Sequence, residues 1–129
     1  DLVVKLVDVY PGKIADKNEI DKVNGNRHEL VRWGSLRGRF RNSMSKPEAF
    51  KANEPTKVKF ELYDVLHTIK RGHKLQIQIQ SSLFPFLDLN PQTYVDNIFK
   101  AKESDFVKAT HKIYHSPEYP SAIRFNQLK

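Results

Sequence analysis

Serine and histidine are the residues that could carry chemistry in this 129-residue sequence, which has no cysteine. A serine nucleophile of the α/β-hydrolase kind lies in a Gly-x-Ser-x-Gly turn between a strand and a helix. The nearest string is GSLRG at residues 34–38, where Ser35 comes one position early and the pattern predicts a strand to follow. Neither the motif nor its context fits, so the sequence predicts no catalytic residue.

The histidine spacing does not predict a metal centre. His111 and His115 are four residues apart, and the β-branched and aromatic residues around them favour a strand. In a strand this spacing separates the two rings by about 13 Å, too far for one ion. His67 and His73 have no carboxylate close in sequence. All four are expected to be structural histidines, and neither a metal nor another cofactor is predicted.

The acidic loop at residues 88–93 begins like a calcium loop of the EF-hand kind. Thr93 then stands where that loop needs glycine, and Phe99 stands where a bidentate glutamate belongs. The EF-hand arrangement is therefore excluded. Calcium held by another set of oxygen ligands stays open for this loop.

The charge is basic, with 22 Lys and Arg against 15 Asp and Glu, a net charge of +7 and a pI of about 9.6. Arg37, Arg39 and Arg41 alternate along a predicted strand beside aromatic residues, the kind of pattern that binds single-stranded nucleic acid. The basic residues are spread over both halves of the chain, and no nucleic-acid partner is predicted. The three arginines are expected to contact a neighbouring domain or to pair within the sheet. No apolar run is long enough to span a membrane as a helix.

Period-two alternation of apolar and polar residues dominates the sequence and predicts an all-β sandwich. Six strands are predicted, at residues 2–10, 36–41, 58–63, 75–80 and 109–115 and around 123–125. The polar residues 16–32 are predicted to form a loop that turns at residues 24–26, and Asn90-Pro91 predicts a short helix near residues 91–106. Residues 1–129 contain no linker or repeat and are expected to form a single domain. The predicted inward-facing residues are Val4, Leu6, Val9, Phe40, Val58, Phe60, Leu62, Leu75, Ile77, Ile79, Ile113, Ile123 and Phe125.

Several strings in this sequence resemble, in order and spacing, the C-terminal β-sandwich of the X-Pro dipeptidyl-peptidase and cocaine esterase family. They lie at residues 4–11 (VKLVDVYP), 36–43 with Lys46-Pro47, 70–75, 77–82, 84–85, 88–93, 109–115 and 117–121. Residues 16–33 and 97–109 look most similar to family members of the glutaryl-7-aminocephalosporanic-acid acylase kind. The resemblance implies a jelly roll with a galactose-binding-like fold.

The resemblance also implies a function for the chain. It would be a noncatalytic C-terminal domain that packs against the α/β-hydrolase domain of its own parent chain, an acylase, X-Pro dipeptidyl-peptidase or esterase. The family's Ser-Asp-His triad lies in that hydrolase domain and has no counterpart among these residues. The loop at residues 84–93 is expected to pack structurally or to face the hydrolase domain. Acylase-like members often carry leaders, which implies a periplasmic or secreted parent.

Family members usually have one or two strands ahead of the one predicted at residues 2–10. The sandwich is therefore expected to be incomplete on its N-terminal side, with an open sheet edge through which the chain forms a homo-oligomer. A different hypothesis is a free-standing carbohydrate-binding module, since such modules hold sugar rings against exposed aromatic side chains. The candidates for that surface are Trp33, Tyr63, Tyr94, Tyr114 and Tyr119.

Overall fold

The centre of the computed structural model, which describes residues 1–12 and 25–128, is a three-stranded antiparallel sheet. Its strands are β1 (Leu2–Val9), β2 (His28–Leu36) and β3 (Lys74–Gln80), in the order β2-β1-β3. The described residues contain no α-helix, and three short 3-10 turns complete the regular structure at Gly38–Phe40, Ile98–Lys100 and Glu103–Asp105. The chain is therefore all-β, as predicted.

The strand β1 is central because its backbone is paired on both edges. Its apolar, β-branched residues suit a strand covered on both sides, and Val3 and Val7 are buried with 0% and 4% exposure. On the β2 side Leu6 lies opposite Arg32 while Val7 lies opposite Leu30, which leaves one extra residue in β2. This β-bulge bends the outer strand at that point.

One face of the sheet carries the apolar side chains of β3. Leu75, Ile77 and Ile79 alternate with glutamines, and Ile77 and Ile79 lie opposite Leu6 and Val4 of β1. At the β2 side of the sheet, a Cβ added to Gly34 would lie 2.6 Å from Leu62 Cδ2 and 3.6 Å from the ring of Phe60. Residues 60–62 therefore lie against β2 at this glycine, where the absent side chain leaves room for them.

The strand predictions are correct for β1 and β3 and wrong elsewhere. Residues 36–41 hold the end of β2 and a 3-10 turn, and no strand forms at 58–63, at 109–115 or around 123–125. The reason is pairing: no backbone–backbone hydrogen bond joins residues 55–69 or 108–128 to another described residue. Alternation prepares a segment for a sheet, but a strand exists only where a second strand meets its backbone groups.

Two further predictions are corrected. Residues 28–32 were expected in a polar loop but form the first part of β2, because pairing with β1 outweighs the polar side chains of His28 and Glu29. Residues 16–24 of that predicted loop lie outside the described residues. The turn predicted at residues 24–26 is present at Gly25 and Asn26. The helix predicted near 91–106 is replaced by two 3-10 turns, the first beginning where the Asn97 side chain accepts a hydrogen bond from the Phe99 N–H.

None of the thirteen predicted inward-facing residues is buried in this structure, and the buried apolar residues of β1 are Val3 and Val7 instead of Val4 and Leu6. Leu75, Ile79, Ile113, Ile123 and Phe125 are between 39% and 68% exposed. The described residues cover these side chains only in part, which is why the alternation pattern overstated the core. Within the described part of the chain, no helix is both long and apolar enough to cross a membrane.

Candidate functional site

A buried carboxylate joins β1 to the segment that leads into β3. Asp8 is 2% exposed; its Oδ2 lies 3.0 Å from His67 Nε2 and its Oδ1 lies 2.8 Å from His73 Nδ1. A carboxylate only accepts hydrogen bonds, so both imidazoles donate an N–H, which fixes the ring nitrogen that carries the proton in each. Burial by itself raises the pKa of Asp8, but the two hydrogen bonds and the histidine charges outweigh it and hold the pKa below the ordinary 3.8.

The cluster of Asp8, His67 and His73 extends to Tyr10, the first residue after β1. The Tyr10 ring packs on His73 with centroids 4.3 Å apart, and its hydroxyl donates to Glu29 Oε2 at 2.6 Å. This hydrogen bond to a carboxylate, together with burial, raises the pKa of the Tyr10 hydroxyl above 10.0. The guanidinium of Arg27 covers the other side of the arrangement, 5.8 Å from the Tyr10 ring centre.

The Asp8 cluster has a structural role. Its carboxylate is buried beyond the reach of a substrate, and its two oxygens are engaged by imidazole N–H groups. Within residues 1–12 and 25–128, no group of three histidine or acidic side chains is arranged to hold a metal ion. The cluster ties the end of β1 to residues 67–73, which are far away in sequence. His67 and His73 share Asp8 as their hydrogen-bond acceptor, a partner that spacing alone could not identify.

A second polar cluster follows β2, where Arg41 holds residues 48–50 and Arg37 and Arg39 hold the loop that follows β3. Arg41 donates to the carbonyl oxygens of Gly38, Glu48 and Ala49 at 2.8–3.1 Å and covers the ring of Phe50 at 4.2 Å. The Phe50 ring in turn fills the space over Gly38, where an added Cβ would lie only 2.5 Å from it. Arg41 therefore fixes residues 48–50 against the 3-10 turn.

Arg39 and Arg37 hold the loop that follows β3. Arg39 donates to the Val95 carbonyl oxygen at 2.7 Å and to the Tyr94 hydroxyl at 3.0 Å, and its guanidinium lies 4.6 Å from the centre of the Tyr94 ring. Arg37 pairs with Asp88 at 3.4 Å. The expectation that these arginines alternate along a strand is wrong, because the chain turns at Gly38–Phe40. Arg37 also lies 3.9 Å from the carboxylate of Asp1, directly before β1, so the described partners of both arginines belong to the same chain.

Several of the other sequence candidates meet at one open cavity, which is lined by Arg39, His111 and residues 90–95. Asp88 is engaged by Arg37, and the Asn90 side chain accepts a hydrogen bond from the Gln92 N–H. His111 Nε2 lies 3.1 Å from the Gln92 side chain. Of the aromatic residues considered for sugar binding, Tyr94 lies beneath the Arg39 guanidinium, and Tyr114 and Tyr119 pack on each other with centroids 5.5 Å apart.

Large apolar side chains are widely exposed on this molecule. The accessible area is 11,079 Å², whereas a compact protein of 15.0 kDa exposes about 7,000 Å². Phe86, Phe99 and Met44 are each 79% exposed, and Leu66 and Tyr63 are more than 80% exposed. Large apolar side chains exposed in such number mark a surface that another protein surface covers.

Comparison with known proteins agrees with this picture. Residues 1–124 match the family model described as the X-Pro dipeptidyl-peptidase C-terminal non-catalytic domain. Cocaine esterase from Rhodococcus sp. (strain MB1 Bresler) is 28% identical over 123 residues, which cover 95% of this chain and 19% of the esterase.

Two solved structures are similar in fold and sequence. A selenomethionine-labelled α-amino acid ester hydrolase superimposes with a TM-score of 0.75 and 43% identity over 82% of this chain and 17% of its own. An aminopeptidase from a marine sediment Thaumarchaeota archaeon superimposes with a TM-score of 0.85 and 33% identity, over 92% of this chain and 19% of the aminopeptidase. The chain thus spans about a fifth of the length of these relatives. It belongs to the family of X-Pro dipeptidyl-peptidase C-terminal non-catalytic domains.

Proposed function

We propose that this chain is the noncatalytic β-sandwich domain of a serine hydrolase of the acylase, X-Pro dipeptidyl-peptidase or esterase type, and that it packs against the α/β-hydrolase domain of the same polypeptide. The observation that carries the proposal is the exposed apolar surface of a domain whose relatives are about five times longer. A hydrolase domain would cover this surface and supply the catalytic residues that the chain lacks.

The finer fold belongs to the same proposal. A jelly roll of the galactose-binding kind consists of two packed sheets, and residues 1–129 would form most of one such domain. The described sheet β2-β1-β3 would be one layer, and the alternating segments at 58–63 and 109–115 would belong to the second. Their free backbone groups and exposed apolar side chains would then be satisfied by strands and surfaces outside these 129 residues.

The loop at residues 84–93 is the part of the domain that we place against the hydrolase domain. Arg37 holds the middle of this loop through Asp88, and Arg39 holds Val95, two residues beyond its end. Between β3 and this anchor, Phe84 and Phe86 are 65% and 79% exposed. Two phenylalanine rings on an anchored loop are a fixed apolar contact, which is what a permanent interdomain interface requires.

The test compares Phe86→Asp with Met44→Asp in the longer parent polypeptide and in this chain alone. Both side chains are 79% exposed, so both substitutions should leave the isolated chain equally stable. In the parent, Phe86→Asp should lower the melting temperature and the rate of ester or amide hydrolysis, while Met44→Asp should change neither. Equal effects of the two substitutions in the parent would contradict the proposed interface. Ester hydrolysis by this chain alone would contradict the noncatalytic role.

A further inference from the structure

The open cavity of about 170 Å³ beside the loop that follows β3 is lined by residues 90–95 and 48–50, among others. Pockets that enclose a whole drug-sized ligand usually measure about 300–1,000 Å³. This cavity therefore has room for a single small ring. Phe84 and Phe86, the two rings that we place against the hydrolase domain, do not line it. The cavity is thus separate from that apolar contact.

Two aromatic rings in the cavity wall each lie beneath a guanidinium group. Arg39 lies 4.6 Å from the centre of the Tyr94 ring, and Arg41 lies 4.2 Å from the centre of the Phe50 ring. These contacts hold the two rings in position. Tyr94 is nevertheless 46% exposed and Phe50 is 47% exposed. The exposed part of each ring gives a ligand a fixed apolar wall to pack against.

Uncharged polar groups form another part of the wall. The Asn90 side-chain oxygen accepts the Gln92 N–H at 2.9 Å, and the Gln92 side-chain oxygen lies 3.1 Å from His111 Nε2. The side-chain N–H groups of Asn90 and Gln92 and the Thr93 hydroxyl have no hydrogen-bond partner within residues 1–12 and 25–128. These groups are available to a polar ligand in the cavity.

The acidic and guanidinium side chains of the wall already have partners. Glu48 pairs with Arg41 at 3.6 Å, and Asp1 pairs with Arg37 at 3.9 Å. Arg39 donates to a backbone carbonyl oxygen and to a tyrosine hydroxyl. A charged ligand would have to compete with these pairs, whereas a neutral ligand leaves them in place. The wall therefore favours a neutral ligand.

The backbone of the wall is fixed without a ligand. Gln92 has a φ of 65°, in the left-handed region that a residue with a side chain seldom adopts. The preceding Pro91 is fully buried, and its carbonyl oxygen accepts the Val107 N–H at 3.0 Å. Conformations of this kind persist where the surroundings hold them, and they cluster at ligand-binding sites. A wall held in this way loses little freedom when a ligand binds.

We propose that this cavity binds one ring of a neutral sugar. A pyranose ring carries C–H groups on its faces, which pack on the exposed parts of Tyr94 and Phe50. The hydroxyls at its rim both donate and accept hydrogen bonds. They accept from the side-chain N–H groups of Asn90 and Gln92, and they exchange a hydrogen bond with the Thr93 hydroxyl. Of the aromatic residues considered from the sequence, Tyr94 lines the cavity and the other four do not.

Two substitutions to glycine test the site with a matched control. Gln92→Gly removes a side chain of the cavity wall, and Asn53→Gly removes a side chain outside it. Asn53 has a φ of 59°, so glycine suits the backbone at both positions equally well. Both variants should therefore remain folded, and thermal unfolding followed by circular dichroism checks this.

Titration of the 129-residue chain with glucose, galactose and mannose, followed by amide NMR spectra, measures the binding. At least one sugar should bind saturably, with a dissociation constant of about 1 mM and shifts at the amides of residues 90–95. Gln92→Gly should raise that constant at least about fivefold, since it removes hydrogen bonds to the ligand. Asn53→Gly should leave it unchanged.

Three outcomes would overturn the proposal: no binding of any of the three sugars, equal dissociation constants for the two variants, or tighter binding of glucuronate than of glucose. Glucuronate places a carboxylate on the same ring and so tests the preference for a neutral ligand. The role in a hydrolase is tested in the longer parent polypeptide, so the two proposals can fail separately.

Discussion

At the scale of single residues, the carboxylate of Asp8 is the group on which the end of β1 depends. It accepts hydrogen bonds from two imidazoles and is 2% exposed. Removing a buried acceptor is more costly than removing a surface contact, because the donors that remain lose their partner without regaining water. The positions of His67, His73 and, through its ring contact, Tyr10 all follow from this one carboxylate.

Asp8→Ala should therefore lower the free energy of unfolding by about 3 kcal/mol, because it leaves two imidazole N–H groups without an acceptor. Asp96→Ala is the matched control: Asp96 is an exposed aspartate, and its loss should cost less than about 0.5 kcal/mol. Urea unfolding followed by circular dichroism measures both. A loss for Asp8→Ala no greater than that of the control would show that the cluster is not stabilising.

The dependence of stability on pH follows from the same residue. Its pKa in the folded chain is below the ordinary 3.8, so the unfolded state binds the proton more readily. The contribution of Asp8 to stability is thus complete above about pH 4 and disappears as the pH falls through the folded pKa. Urea unfolding at a series of pH values should show the difference between the unmodified chain and Asp8→Ala shrinking below pH 3.8. A difference that grows in acid would contradict this assignment.

At the scale of elements, two glycines test how tightly the segments pack on the sheet. An added Cβ would meet the Phe50 ring 2.5 Å away at Gly38 and Leu62 Cδ2 2.6 Å away at Gly34. The two distances are almost equal, but the neighbouring side chains differ in how freely they can move. The Phe50 ring lies beneath the Arg41 guanidinium, whereas Leu62 Cδ2 is the end of a flexible side chain that can rotate.

Gly38→Ala should therefore destabilise the chain by about 1–3 kcal/mol, the usual cost of forcing an extra carbon into a packed site. Gly34→Ala should cost clearly less, because Leu62 can move and alanine suits a strand better than glycine does. Thermal unfolding of the two variants compares them directly. If Gly34→Ala were the more damaging, Phe50 could not be the fixed neighbour that the geometry indicates.

The contacts of Arg41 make a separate prediction about how firmly the loop at residues 48–50 is held. Arg41→Met keeps the aliphatic length of the side chain but removes the donors to Gly38, Glu48 and Ala49. Hydrogen exchange should then become faster at Glu48, whose amide bonds to the Arg39 carbonyl oxygen and depends on this loop staying in place. The amides of β1 and β3 should exchange as before. Unchanged exchange at Glu48 would show that Arg41 does not hold the loop.

At the scale of the whole molecule, the accessible area determines how steeply the stability of the isolated chain falls with denaturant. The denaturant dependence of unfolding, the m-value, scales with the area that becomes exposed. With 11,079 Å² already accessible in the folded chain, the m-value in urea should be about three quarters of that of a compact protein of this mass. Equilibrium unfolding of the isolated chain measures it. An m-value equal to that of a compact protein would mean that the exposed segments fold back onto the sheet in solution.

The parts of this structure that the sequence predicted were local. A nearly continuous apolar, β-branched run identified β1, and alternation identified β3. The motifs along nearly the whole length indicated the family that the comparisons confirm. Each of these depends on residues close together in the chain, where side-chain pattern and backbone geometry are directly linked.

Tertiary structure alone decided the rest, because it depends on groups that are distant in sequence. His67 and His73 find their acceptor 59 and 65 residues away, and Arg39 finds its carbonyl partner 56 residues away. Pairing between distant segments made β2 a strand despite its polar residues. Among the described residues, the segments 58–63 and 109–115 have no strand partner despite their alternation. A strand requires a neighbour as well as a pattern, since its backbone hydrogen bonds are made to another segment. The sequence thus specified which segments could pair, and the folded chain determined which of them did.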